Sequence, residues 1–180
     1  NNIEYTYTVS ATYPDGTESD PSAPVTVIPQ AQTVHEEMHD DGTAEEGWNP
    51  DGSGQFAAVR FAAHDAGEGV MRFKWYQQGD GGAFYVKVWE DDNGFPGEEI
   101  YSGVQVSGNA DGWNQKDLST EGVVVTCDFW VGMKRFSSSM PIGVDTSSNS
   151  GNSMSSDGDG TWSAVAGNVM FRVDIDAGED

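Results

Sequence analysis

Cysteine is almost absent. Cys127 is the only one in 180 residues, so no intrachain disulfide can form, and in V-V-V-T-C-D-F it reads as a small core hydrophobe. Leucine also occurs once, as Leu118, and this poverty in helix formers excludes a large helical part. Basic residues number 8 against 30 acidic ones, a formal charge of -22 that would repel a phosphate backbone or an anionic lipid surface. Nucleic acid is thereby excluded as a partner, while the acidity itself fits a saline setting, divalent cation binding or solubility. No apolar run approaches the ~18 to 20 residues that span a bilayer, so no membrane insertion is expected. No basic-then-apolar signal opens the chain, as expected of a chain already processed or of one never exported. G-x-S-x-G, P-loop and G-x-G-x-x-G motifs are missing, and Cys127 has no activating histidine nearby in sequence.

What is present is glycine (23 residues), Ser, Thr, Asn and Asp, and short stretches of period-two alternation. Residues 1–13 place Ile3, Tyr5, Tyr7, Val9, Ala11 and Tyr13 on one face and Thr and Ser on the other. Pro14-Asp15-Gly16 supplies a turn, and Val25 to Ile28 form a second strand closed by Pro29, which predicts a hairpin over 1–29. Strong strand patterns recur in Q-F-A-A-V-R-F-A-A-H, V-M-R-F-K-W-Y, F-Y-V-K-V-W-E, Ile100 to Val106, V-V-V-T-C-D-F-W-V-G-M and N-V-M-F-R-V-D-I-D. Weaker ones lie at 34–39, 113–118 and 142–144. The expected fold is all-β, an antiparallel two-sheet β-sandwich of jelly-roll type over 40–180, with 30–39 as linker or first strand. The Ser-rich stretch from Ser137 to Gly160 reads as a long surface loop.

Y-T-Y-T-V-S-A-T-Y-P-D-G-T-E-S-D-P-S-A-P-V-T-V resembles the last two strands of a fibronectin type III domain. Such a domain has five further strands ahead of these two, which the sequence does not contain. Residues 38 to 176 resemble β-sandwich modules near the C-terminal ends of large secreted bacterial proteins, through D-D-G-T-A-E-E-G-W, V-W-E-D-D-N-G-F-P-G, G-W-N-Q-K-D-L, F-W-V-G-M and G-T-W-S. The resemblance implies a module without catalytic residues, an extracellular or cell-surface location, and fibronectin-like neighbours.

His35-Glu36-Glu37-Met38-His39 fits H-E-x-x-H, in which two histidines one helical turn apart hold zinc and the glutamate polarises water. Gly42 and Glu45 extend it at metzincin spacing with a glutamate where the third ligand belongs. Against a protease stand the 34 preceding residues, which form a hairpin in place of a catalytic scaffold, and Asp40-Asp41-Gly42, which would stop a helix. The two histidines could still hold a transition metal, with His64 too distant in sequence to be assigned to them. Carboxylates crowd turns at Asp40, Asp41 and Glu45, at Asp91 and Asp92, and at Asp157-Gly158-Asp159. No cofactor is required, though these turns leave room for a structural calcium ion.

Alternation sets Trp130 opposite Phe129 and Val131, and Tyr85 and Trp89 opposite Phe84, Val86 and Val88. Outward aromatics form a platform for a sugar or a protein partner unless a loop covers them. The apolar face of Ile3, Tyr5, Tyr7, Val9, Val25 and Val27 needs a partner surface, because a lone hairpin is marginal in water. The expectation is a non-catalytic extracellular structural or adhesive subunit, assembling into a surface filament by β-augmentation with copies of itself or with other domains of a longer parent chain. The alternatives are a glycan-binding module of a secreted hydrolase and, third, a zinc metalloprotease through H-E-E-M-H.

Overall fold

A computed structural model describes residues 3–28, 34–49, 54–65, 67–79, 81–108, 111–136 and 140–176. The chain divides into two compact units, Asn1–Gln32 and Thr33–Asp180. Pro29, expected to close the hairpin, and residues 30–33 of the expected linker or first strand lie outside the described residues, as do Ser137 to Ser139 of the Ser-rich stretch.

The first unit is a hairpin of β1 (Tyr5–Tyr7) and β2 (Val25–Val27), with Tyr5 opposite Val27 and Tyr7 opposite Val25. Directly opposed residues share a face, so these four side chains form one apolar side while Thr6 and Thr26 pair on the other. Regular pairing is shorter than the alternation over 1–13 predicts. Pro21 and Pro24 cannot donate to a ladder, and serine hydroxyls substitute: Ser22 Oγ accepts from the Val9 amide and Ser19 Oγ from the Ala11 amide. The tip closes where the Gly16 amide donates to the Tyr13 carbonyl and Asp15 accepts from Thr17.

The second unit is all-β, without a helix among the described residues. Its strands are β3 (Val34–Glu37), β4 (Glu46–Trp48), β5 (Phe56–Phe61), β6 (Glu68–Gln77), β7 (Ala83–Asp92), β8 (Phe95–Ser107), β9 (Gly112–Asp117), β10 (Val124–Val125), β11 (Phe129–Arg135), β12 (Ile142–Asp145), β13 (Ser153–Ser156), β14 (Ser163–Ala164), β15 (Asn168–Val169) and β16 (Phe171–Asp176). One sheet runs β15-β12-β6-β16-β3, with β9 and β10 also on β6 and β4 on β12. The other runs β14-β13-β5-β11-β7-β8, and the pairings in both are antiparallel. The core fills the space between them. Phe84 of β7 meets Trp75 of β6 edge-on at 4.9 Å, and Val59, Val86, Val131, Phe73, Phe171 and Val173 are fully buried around them. This is the antiparallel two-sheet sandwich that the alternation predicts.

Two irregularities break the simple alternation. In β6, Asp174 faces Arg72 but Ile175 faces Val70, so Met71 is the extra residue of a bulge, and Val70 and Phe73 both point inward. Met71 therefore does not share the core face with Phe73 and Trp75, as strict alternation would have it. The V-V-V-T-C-D-F-W-V-G-M stretch is likewise two strands. β10 pairs with β6 in the first sheet and β11 with β5 and β7 in the second. The crossing falls on Thr126 to Asp128, which exposes Cys127 instead of burying it as a core hydrophobe. The Ser-rich stretch also departs from a plain loop, since it contributes β12 and β13.

Candidate functional site

The H-E-E-M-H pattern lies on a strand. In β3 successive side chains point to opposite faces, so His35 and Glu37 share one face and Glu36 takes the other. Extended backbone separates residues four apart by roughly 13 Å, against one turn in a helix, so His35 and His39 do not converge. His39 is engaged elsewhere. Its Nε2 lies 2.7 Å from the Arg60 carbonyl, and its ring stacks on Phe61 with centroids 5.3 Å apart. The helix-borne zinc arrangement is thus not formed.

Glu36, the residue that would polarise water in that arrangement, instead joins a charged network on the outer face of the first sheet. It accepts from Lys74 Nζ at 2.6 Å and from Arg172 Nη1 at 3.3 Å. Lys74 also donates to Asp174, which Arg72 reaches at 2.9 Å. Arg172 donates to Asp40 through Nε and Nη2, and its guanidinium lies 4.1 Å from the centre of the Trp113 ring. Burial alone would raise the Glu36 carboxyl and lower Lys74, but the partners win: Lys74 and Arg172 leave Glu36 depressed, and Asp174 and Glu36 leave Lys74 raised. Asp40, a candidate cation ligand by sequence, is committed to this network and to the Gly42 amide.

Asp41 and Glu45 do come together, joined by Asp145 of β12, which sequence spacing could not supply from a hundred residues away. Each carboxylate already caps backbone or hydroxyl groups. Asp41 accepts from the Thr43 amide, Glu45 from the Thr146 amide, and Asp145 from the Ser147 amide at 2.8 Å and hydroxyl at 2.6 Å. Burial pushes Asp145 up, yet the bonds from Ser147, Asp41 and Asn168 outweigh it and hold its carboxyl at about 2. Asp91 is spoken for as well. It accepts from Trp130 Nε1 at 2.8 Å and the Gly94 amide at 3.1 Å and pairs with Arg60 at 2.9 Å. Asp92 accepts from Asn93 at the same exposed turn. Asp159 accepts from the Thr161 amide, so it forms a turn.

Trp89 and Trp130 sit opposite the main core and cross-strand from each other, as alternation predicts. They are nevertheless only 5% and 1% exposed. Phe56, Met154 and Trp162 cover them, with Trp162 edge-on to Trp89 at 5.6 Å. Rings enclosed this way present no open face to a sugar, which corrects the platform reading. Tyr85 is half-buried, edge-on to the exposed Phe136. The expected assembly residues Ile3, Tyr5, Tyr7, Val9, Val25 and Val27 are all exposed in the single chain.

One constellation was missed by sequence reasoning. His64, in the connection from β5 to β6, brings its Nε2 to 2.9 Å from Glu37 Oε1, and the His35 and His64 rings meet edge-on at 4.7 Å. The hydrogen bond to Glu37 raises the His64 pKa, against a small opposing effect of burial. The local signal was the H-x-E pair itself, which at strand period presents two donors on one side. No family model, curated protein or solved structure matches this chain.

Proposed function

We propose that this chain is a non-catalytic extracellular structural or adhesive β-sandwich subunit that joins copies of itself through its N-terminal hairpin. The observation carrying this reading is the hairpin's apolar face: Ile3, Tyr5, Tyr7, Val9, Val25 and Val27 are between 44% and 73% exposed. Among the described residues β1 and β2 form a sheet of two strands, in which each strand is an edge. A two-stranded ribbon is marginal in water, and an unpaired edge is a template for another strand. A strand added from a neighbouring copy would satisfy both deficits at once, and a head-to-tail addition that does not close builds a filament. The likeness to fibronectin type III strands and to secreted bacterial sandwich modules supports an extracellular setting. Glycan recognition through Trp89 and Trp130 loses support from their burial beneath Trp162.

Light scattering and negative-stain imaging of the purified chain test the reading. Wild-type protein is expected to form concentration-dependent oligomers or filaments. The double substitution Tyr7→Asp and Val25→Asp is expected to abolish them while leaving the urea midpoint of the sandwich unchanged. A wild-type chain that stays monodisperse and monomeric at high concentration would overturn self-assembly.

A further inference from the structure

We propose that His35, Glu37 and His64 form a binding site for a divalent transition metal of the zinc class. Two imidazoles and one carboxylate are a donor set suited to zinc and its neighbours, whereas calcium and magnesium prefer oxygen alone. The geometry is close to what such an ion needs. Zinc binds nitrogen and oxygen at about 2.0 to 2.2 Å, so tetrahedral ligands lie roughly 3.4 Å apart. His35 Nε2 lies 3.6 Å from Glu37 Oε1, His64 Nε2 lies 2.9 Å from that oxygen, and all three residues bring a donor atom within 4.8 Å of the others. A shift of a few tenths of an ångström at the solvent-exposed His64 ring opens the place now bridged by a proton.

A second observation points the same way. His35 Nε2 is buried without a hydrogen-bond partner, an unmet requirement that a metal bond would satisfy. The loop is held to present His64, because its amide donates at 2.8 Å to Glu68, a side chain only 3% exposed. The other Glu68 oxygen is also buried and unpartnered. β3 is the outermost strand of its sheet, and His64 lies where the chain passes from the second sheet to the first. An ion there would fasten that edge strand to the β5 to β6 connection, leaving at least one coordination position to solvent.

A very acidic chain binds any divalent ion weakly, so selectivity and position decide the question. Titration calorimetry with zinc, run with and without millimolar calcium, is expected to give one site per chain that survives the calcium. His64→Ala and Glu37→Gln are each expected to weaken zinc by about tenfold or more, and His39→Ala to leave it within about threefold, in line with loss or retention of a direct ligand. Zinc binding that calcium abolishes, or that loses less than tenfold in His64→Ala, would overturn the site. Imidazole nitrogen shifts of the unmodified chain give a reading that does not depend on a variant folding: zinc should move His35 and His64, and movement of His39 in their place would refute the assignment.

Discussion

Asp145 shows how one side chain in this fold converts acidity into stability. It is fully buried, yet its carboxyl is held at about 2 against an ordinary value of 3.8, because Ser147, the Asp41 amide and Asn168 donate to the charged form. A depressed folded-state pKa means the native state holds its proton less tightly than the unfolded chain. The contribution is therefore complete above about pH 4 and is lost as pH falls towards 2. The shift corresponds to about 2 kcal/mol. Urea unfolding of wild type and Asp145→Asn should differ by roughly that amount at pH 5, with the gap narrowing steadily as the pH approaches 2. A gap that is the same at both ends would mean that shape, and not charge, is what Asp145 provides.

At the scale of elements, alternation made most strands legible because burial against one face leaves a period of two in the residues themselves. It identified β5 and β16 as strands and the inward sides of β7 and β11, and it set Trp89 and Trp130 on the opposite side. It could not say what lies over that opposite side. Cover comes from β13, which pairs with β5, and from Trp162, next to β14, and these stretches are so polar that they resemble a loop. The site was illegible for a related reason. The contact of His64 with Glu37 depends on β3 pairing with β16 and on the path of the β5 to β6 turn, neither of which is written into the local spacing. Cys127 was misplaced because a change of sheet between β10 and β11 leaves no mark on the hydrophobic period. The cover makes its own prediction. Trp162→Ala removes a partly buried ring from above Trp89 and Phe56, and truncating large buried aromatics costs about 3 to 5 kcal/mol, so roughly 2 kcal/mol is expected here. Urea midpoints measure it, and an unchanged midpoint would show that the segment does not hold the outer face.

On the scale of the whole molecule, charge and apolar surface oppose each other. Of the eight basic residues, Arg60, Arg72, Lys74, Lys87, Lys116 and Arg172 are already paired with carboxylates within the sandwich. Little positive charge remains for contacts between copies, so two chains of formal charge -22 repel as they approach. The association proposed for the hairpin would then draw on burying Tyr and Val side chains, each worth about 1.5 to 3 kcal/mol when fully covered, and on main-chain pairing. These two terms respond to salt in opposite ways. The screening length falls from about 30 Å at 0.01 M to about 8 Å at 0.15 M and about 3 Å at 1 M, which removes the repulsion, while apolar burial is not weakened by such screening. Self-association measured by light scattering is therefore expected to strengthen progressively across that series. Assembly that weakens as salt is added would require an interface built on opposite charges, and that would displace the hairpin face from its proposed role.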